Sequence, residues 1–235
     1  EFIAMKLLFY RYGSICEPDI IAGFQELGLE VSELTEEIFN KSVSPQECIH
    51  LISNFLLEHP MDFVFTVNFY PSISEVCNIF HIPYLCWIVD SPVMELYTAS
   101  VQNPWNRIFL FDRCIYQEIS PLNPDCVFYL PLATNVAQKD NLIRSKSQRQ
   151  LDAFHADVSF IGSLYTEKCA YDRLSKDVSP YLTGYLNGLM EAQLKVYGYY
   201  FVEEILPDSI VDEFVDHFQY FYSLPGKNFL SNRTT

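Results

Sequence analysis

Short apolar segments alternate with segments of helical spacing along the first 130 residues. Segments such as DFVFTV (62–67) and PYLCWIV (83–89) carry apolar residues consecutively, which is typical of strands buried on both faces. The intervening segments space their apolar residues three or four apart, as Ile21, Phe24 and Leu27 do. This alternation predicts an α/β fold with a Rossmann-like, doubly wound parallel sheet.

The predicted elements have recognisable boundaries. We predict strands at residues 6–10, 29–34, 62–67, 83–89, 107–111 and 126–130. We predict the intervening helices at residues 18–28, 44–59, 72–81 and 112–119. Ser44 before Pro45 is typical of a helix N-terminus, with serine as the N-cap residue. Ser72 and Glu75 have the spacing of a capping box, in which each side chain accepts a backbone hydrogen bond from the other residue.

The composition changes after residue 135. Residues 136–156 are polar and basic, which indicates a linker or a solvated helix. Residues 157–165 (DVSFIGSLY) are predicted to form a new strand that runs into a glycine turn, and helical spacing follows. We therefore predict a first domain at 5–135, a linker at 136–156, the start of a second half at 157–225 and a tail at 226–235.

The charge and cysteine content exclude several classes of function. Asp and Glu number 30 against 15 Lys and Arg, and the resulting net charge of −15 argues against a nucleic-acid partner. The seven cysteines form no C-x-x-C pair, which predicts reduced thiols in a cytoplasmic protein and no metal site. No apolar stretch has the length of a membrane span.

Polar residues follow the predicted strands, at the edge where open parallel sheets bind their ligands. The loop after the first strand holds only Gly13 in place of a G-x-G-x-x-G fingerprint. A P-loop and a G-x-S-x-G nucleophile elbow are also absent from the sequence. A nicotinamide enzyme, a P-loop ATPase and an α/β-hydrolase are therefore disfavoured.

Asp90 interrupts an apolar segment and has two possible roles. With Ser91 and Pro92 it can cap a following short helix. At the end of a strand it can also bind a hydroxyl group or act as a general base. Asp112 allows the same two roles, whereas Glu17 is predicted to be a helix cap. The Gly162-Ser163 turn can hold a diphosphate or can simply join a strand to a helix.

Five segments in a fixed order resemble one family of enzymes. They are YRYGS (10–14), PYLCWIVDSP (83–92), FLFDR (109–113), YLPLATN (129–135) and DVSFIGSLYTEK (157–168). Together they resemble the N-terminal part of bacterial CgeB-type, spore-maturation-like glycosyltransferases. The resemblance covers roughly residues 5–225 and is strongest to a branch whose N-terminal region is catalogued as a domain of unknown function.

The resemblance implies a GT-B enzyme, with two Rossmann-like halves that face a cleft. It implies that the N-terminal half binds the acceptor, that the other half binds a nucleotide-sugar donor, and that neither cofactor nor metal is needed. Asp90 is then the catalytic base or an acceptor contact. The acceptor-binding residues are Tyr12, Gly13, Ser14, Asn68, Ser91 and Asp112. The resemblance also implies that Gly162 and Ser163 bind the phosphates of the donor.

The chain departs from this family because a complete donor half needs about a hundred residues more. We therefore expect either a fragment of a longer enzyme or a natural half, inactive alone. Tyrosines near the C-terminus suit either a helix core or a homodimer contact: Tyr185, Tyr197, Tyr199, Tyr200, Tyr220 and Tyr222. The alternative function is a non-catalytic, Rossmann-type ligand-binding or assembly module.

Overall fold

A computed structural model describes residues 4–162, 171, 175–176 and 178–218 of the chain. The chain divides into two units, Glu1–Ala153 and Phe154–Thr235. Ser163 and the residues that follow it up to 170 lie outside the described residues, as do Tyr220 and Tyr222.

The first unit contains a six-stranded sheet in which every neighbouring pair is parallel. Its strands are β1 (Lys6–Tyr10), β2 (Glu30–Leu34), β3 (Phe63–Val67), β4 (Tyr84–Ile88), β5 (Asn106–Leu110) and β6 (Val127–Tyr129). The strand order is β2-β1-β3-β4-β5-β6. The direction of winding therefore reverses between β1 and β3, which creates a crevice at their carboxyl ends.

Helices lie on both faces of this sheet, which confirms the predicted α/β, doubly wound class. The helices of the first unit are α1 (Glu17–Glu26), α2 (Glu36–Phe39), α3 (Pro45–Glu58), α4 (Pro71–Phe80), α5 (Arg113–Ile119), α6 (Val136–Arg144) and α7 (Gln148–Asp152). Three short 3₁₀ turns accompany them, at Met94–Tyr97, Ala99–Gln102 and Ser120–Leu122. The polar segment after residue 135 thus forms α6 and α7, whose residues are mostly exposed.

Two apolar cores enclose the sheet, one on each face. One core joins α3, α4 and α5 to the strands through residues such as Ile52, Ile73 and Ile119, all 0% exposed. The other packs Ile21 and Phe24 of α1 against β1 and β3. Every residue of β3 is buried, because this strand lies in the middle of the sheet and is covered on both sides. Burying the side chain of one core isoleucine, such as Ile52, contributes about 1.5–3 kcal/mol to the stability of the fold.

The helix caps match the sequence prediction at Ser44 and at Asp112, which is the N-cap residue of α5, but not at Ser72. Ser44 caps α3 and forms a capping box, since its hydroxyl accepts from the Glu47 amide at 3.2 Å and Glu47 accepts from the Ser44 amide at 2.7 Å. The capping box predicted at Ser72 and Glu75 is wrong. Helix α4 begins one residue earlier, at Pro71 after Tyr70, so Ser72 lies inside the first turn and cannot be its cap.

The second unit contains the helices α8 (Pro180–Gln193), α9 (Val202–Ile205) and α10 (Asp208–Phe218). Its predicted strand is wrong over residues 157–162, which are irregular, and residues 163–165 are not described. A strand requires a neighbour to complete its backbone hydrogen bonds, and the described residues of this unit supply none. Tyr197, Tyr199 and Tyr200 are exposed, whereas the Tyr185 hydroxyl bonds the Ile205 carbonyl at 3.3 Å.

No helix in the described part of the chain combines the length and the apolar composition that a membrane crossing requires.

Candidate functional site

Asn68 joins three strand ends at the crevice between β1 and β3. It follows β3 directly and has a φ of 62°, a left-handed conformation that asparagine tolerates better than most residues. Its Nδ2 donates to the Tyr12 hydroxyl at 3.1 Å and to Asp90 Oδ2 at 2.7 Å. Its Oδ1 accepts from the Val89 amide at 3.0 Å. One carboxamide therefore positions residues that follow β1 and β4.

Glu17 organises the loop that carries Tyr12. Its side chain is 0% exposed and accepts hydrogen bonds of 3.0 Å from the Tyr12 amide, the Gly13 amide and Arg11 Nε. Burial lowers the pKa of Arg11, but its hydrogen bonds to Glu33 and Glu17 outweigh this effect and raise the pKa. Glu17 therefore acts on the loop before its helix. The predicted cap role is wrong, because the Cys16 position precedes α1 and Glu17 is its first residue.

Gly13 and Ser14 belong to the loop that carries Tyr12. Gly13 has a φ of 90°, and a Cβ added there would lie 3.4 Å from Lys41 Nζ. The same ammonium group donates to the Tyr12 carbonyl. The Ser14 hydroxyl lies 3.0 Å from Cys16 Sγ. Of the three predicted loop residues, Tyr12 is the one that reaches the pocket described next.

An open pocket of about 420 Å³ lies at this edge of the sheet. The loops after β1, β2 and β3 contribute Tyr12, Glu37, Asn68, Phe69 and Tyr70. The loop after β4 contributes Asp90, Pro92, Val93, Met94 and Glu95. Its size and its position at the reversal of winding are those of small-molecule sites in open α/β sheets.

A buried hydrogen-bond network holds the tyrosine side of the pocket. The Tyr84 hydroxyl is fully buried, accepts from the Tyr70 amide at 2.9 Å and lies 2.7 Å from Thr66 Oγ1. The Tyr70 hydroxyl donates to Glu37 Oε1 at 3.2 Å. Burial raises the pKa of Tyr70, and the Glu37 carboxylate raises it further. The Tyr70 hydroxyl therefore stays protonated.

Tyr12 completes the aromatic wall. Its ring centre lies 6.4 Å from that of Tyr70, with the ring planes tilted by 47°. Burial raises the pKa of Tyr12, and the nearby Asp90 carboxylate acts in the same direction. The wall thus offers two ring faces and two protonated hydroxyl groups, which suit a ligand that is partly apolar and carries hydroxyls.

Asp90 is exposed in the pocket and does not cap a helix. The 3₁₀ turn that follows begins after Val93, so the cap role predicted for Asp90 and Ser91 is wrong. The Asn68 amide holds Oδ2, whereas Oδ1 accepts no hydrogen bond from the described residues. One oxygen is therefore positioned by the protein, and the Asp90 side chain lines the open pocket.

Ser91 and Asp112 form a separate link between β4 and β5. The Ser91 hydroxyl donates to Asp112 Oδ2 at 2.8 Å, while Asp112 Oδ1 caps α5 by accepting from the Cys114 amide at 2.8 Å. The Ser91 hydroxyl lowers the pKa of Asp112, and the helix amides add to this effect. Both predicted acceptor residues are thus occupied with each other, outside the pocket lining.

The predicted donor-phosphate pair is placed only in part. Gly162 is exposed and lies in the second unit, where a Cβ added to it would approach the Phe160 ring within 2.8 Å. Ser163 is outside the described residues. Among the described residues, no group of three or more His, Cys, Asp and Glu is arranged to hold a metal ion.

Sequence reasoning missed two acidic residues of the pocket, Glu37 and Glu95. Glu37 follows β2, so its position after a strand was a signal that could have found it. Glu95 offered no such signal, because a loop of several residues separates it from β4. It reaches the pocket only through the path that this loop takes.

The comparisons with known proteins add no family. No family model and no curated protein matches the chain. Among solved structures, the chain is similar to the chemotaxis protein CheY4 of Vibrio cholerae, with 12% identity and a TM-score of 0.32. The alignment covers 60% of this chain and 98% of that protein. At this level the similarity carries no argument about the site, and the fold class is read from the sheet itself.

Proposed function

We propose that the first unit is the acceptor-binding half of a GT-B glycosyltransferase. The whole enzyme would transfer a sugar from a nucleotide-sugar donor to a hydroxyl group of an acceptor. The observation that carries this proposal is the Asp90 carboxylate, which lines the pocket and is held by Asn68 through one of its two oxygens. A carboxylate in that position can accept the proton of a bound hydroxyl.

The proposed step transfers one glycosyl group to the acceptor and one proton to Asp90. The acceptor oxygen forms a bond to the anomeric carbon of the donor while its proton passes to Asp90. The bond between that carbon and the phosphate oxygen breaks, and its electron pair leaves with the nucleoside diphosphate. Positive groups or backbone amides must stabilise the departing diphosphate, and we assign this role to the donor side, with Gly162 and Ser163 as candidates.

The walls of the pocket support an acceptor better than a diphosphate. Tyr12 and Tyr70 offer ring faces for the apolar face of a sugar and hydroxyl groups as donors. Three carboxylates line the same space: Glu37, Asp90 and Glu95. They repel a diphosphate and accept hydrogen bonds from hydroxyl groups. We therefore place the donor phosphates outside this pocket.

A transfer assay tests the proposal. The full-length gene product that contains this chain is incubated with a panel of nucleotide sugars and hydroxyl acceptors. The release of nucleoside diphosphate is then measured. Replacing Asp90 by Asn removes the base, so kcat should fall by about 100-fold or more while the melting temperature is unchanged. The matched control is Asp125→Asn, an exposed residue before β6 at the opposite sheet edge, which should leave kcat unchanged.

Two results would count against this proposal. Turnover that is unaltered in Asp90→Asn removes Asp90 from the role of base. Absence of transfer from every nucleotide sugar in the panel overturns the proposal that the full-length protein is a glycosyltransferase. We expect residues 1–235 alone to bind acceptor without transferring sugar to it.

The proposal includes a cytoplasmic location and a homodimer. Six of the seven cysteines lie in the described part of the chain, and none of these six forms a disulfide, as expected for a reducing compartment. The exposed Tyr197, Tyr199 and Tyr200 are candidates for the dimer contact. Sedimentation equilibrium of the chain tests the dimer, and a monomer at all concentrations contradicts it.

A second candidate function is a binding module without catalysis. It is favoured by one observation: all residues that line the pocket belong to the first unit, so this unit can bind a ligand by itself. The transfer assay together with a ligand titration of the full-length protein separates the two functions. Tight binding of a hydroxylated ligand by the full-length protein, without any transfer, supports the module.

A further inference from the structure

The pocket carries an excess of negative charge. Glu37, Asp90 and Glu95 line it, and no lining residue is Lys, Arg or His. Two basic groups of the neighbouring segments, Arg11 and Lys41, are already engaged, and Lys41 donates to the Tyr12 carbonyl. Arg11 pairs with Glu17 and Glu33. A ligand that enters this space therefore meets three carboxylates that no basic residue of the lining balances.

A ligand with a positive charge would balance them. Tyr12 and Tyr70 add two electron-rich ring faces to the same space, and a cation is attracted to such faces. The net charge of −15 over the chain attracts cations from solution as well. The charged groups and the rings thus favour the same kind of ligand.

Tyr10 supports the tyrosine wall of the pocket from the core side. The Tyr10 side chain is 0% exposed, and its hydroxyl makes no hydrogen bond of good geometry although it lies beside Glu37. Its ring packs edge-on against Tyr70, with 5.4 Å between the ring centres. The Tyr10 hydroxyl is buried and does not line the pocket, so Tyr10 supports the tyrosine wall from the core and does not contact a ligand.

We propose that the acceptor bound by this pocket carries a protonated amine next to its hydroxyl groups, as an amino sugar does. This inference rests on the proposed acceptor function and adds the chemical class of the acceptor. The amine would lie between Glu37 and Glu95, over the tyrosine rings, and would leave a hydroxyl group for Asp90. A volume of about 420 Å³ accommodates a ligand of that class.

A matched series of sugars tests the inference by calorimetric titration of the 1–235 chain. Its members are the methyl glycosides of glucose, glucosamine, N-acetylglucosamine and glucuronic acid, at about pH 6.5, where the free amine is protonated. The glucosamine derivative should bind about tenfold more tightly than the N-acetyl derivative. This advantage should shrink as salt is raised from about 0.05 to 0.5 M, because salt screens the attraction.

The double variant Glu37→Gln, Glu95→Gln is the decisive comparison. Glutamine keeps the side-chain oxygen that accepts from Tyr70 but removes the charge. The preference for the amine over the N-acetyl derivative should fall to about twofold or less, and a melting temperature close to that of the wild type shows that the variant is folded. The control is Glu118→Gln, an exposed residue of α5 outside the pocket lining, which should preserve the preference.

The outcomes separate this inference from the proposed function. Equal binding of the amine and N-acetyl derivatives overturns the inference that the acceptor carries an amine, but it does not contradict the proposal that the pocket binds an acceptor. Tightest binding of the glucuronic acid derivative also overturns it. If no sugar of the series binds, the inference fails, whereas the proposed function is judged by the separate transfer assay of the full-length protein.

Discussion

The Asn68 carboxamide donates a hydrogen bond of 2.7 Å to the Asp90 carboxylate, across 22 positions of sequence. Strands β3 and β4 are parallel neighbours, so the residues that follow them emerge side by side at one edge of the sheet. The same carboxamide accepts from the Val89 amide at 3.0 Å. Asn68 therefore fixes both the backbone and the side chain of the loop that carries Asp90.

Replacing Asn68 by Asp should destabilise the protein by about 1–3 kcal/mol at neutral pH. The new side chain keeps the acceptor for Val89 but loses the donor to Asp90 and places a second carboxylate beside it. Because like charges raise the pKa of one member of such a pair, the folded variant binds more protons than its unfolded state, and its stability should rise as pH falls from 7 to 5. Urea unfolding at both pH values measures this.

The control for the Asn68 prediction is Asn141→Asp in the exposed helix α6, which adds the same charge away from Asp90. It should change stability by less than about 0.5 kcal/mol. A similar loss in both variants would show that net charge, rather than the contact with Asp90, causes the effect.

Replacing Glu17 by Ala should cost about 3 kcal/mol, because it leaves Arg11 Nε and two loop amides without their acceptor. The matched control is Glu33→Ala. Glu33 binds the same Arg11, but its side chain is 34% exposed, so its removal should cost at most about 1 kcal/mol. Chemical denaturation measures both values, and equal losses contradict the role of Glu17 in organising the loop.

Replacing Tyr84 by Phe should cost about 2 kcal/mol, since the Tyr70 amide and Thr66 Oγ1 both lose a bond to a fully buried hydroxyl. The variant should also weaken binding of ligands at the pocket, because Tyr70 is less firmly held. Tyr129→Phe is the control, as the Tyr129 side chain is on the surface and should tolerate the change within about 0.5 kcal/mol. Thermal melts and ligand titrations are the readouts.

Replacing Asp112 by Ala should lower stability by about 1 kcal/mol near pH 6 through loss of the α5 cap. The pKa of Asp112 is lowered by the Ser91 hydroxyl and by the helix amides, so its contribution is present above the ordinary aspartate pKa of about 3.9. It is lost as pH falls below that value, through the lower pKa of the folded state.

Melting curves of the wild type and of Asp112→Ala should therefore converge as pH falls from about 6 to 3. The control is Asp112→Asn, which keeps an acceptor for the Cys114 amide and should lose less stability than the alanine variant. If the difference in stability between the wild type and the alanine variant does not change with pH, the negative charge of Asp112 does not contribute to the cap.

Cys77 and Cys86 should resist alkylation in the native protein. Both thiols are fully buried, and burial raises the pKa of Cys77 to about 12 and also raises that of Cys86. Cys114 is exposed and should react at about pH 8 with iodoacetamide. Peptide mass mapping before and after unfolding distinguishes them, and rapid labelling of Cys77 in the native state contradicts its burial.

The central strands could be predicted because burial on both faces leaves a local signal, whereas the edge strands β2 and β6 are only partly buried. All six lie within the predicted ranges or extend them by one residue, as β5 does by beginning at Asn106. The four-residue helix α2 was missed, because so short a segment has no detectable periodicity. The cap of α4 was misplaced for another reason. A bond from the Tyr70 amide to Tyr84 lies at the start of this helix, and the local spacing of Ser72 and Glu75 does not contain it.

The sequence by itself determined the class of fold and the edge of the sheet at which Tyr12, Asn68 and Asp90 lie. Apolar periodicity and strand ends are local properties, so they can be read along the chain. Only the tertiary structure decided that Asn68 binds both Tyr12 and Asp90, and that Ser91 and Asp112 bind each other instead. It also brought Glu37 and Glu95 into one pocket. These contacts depend on strand order, which places residues distant in sequence side by side.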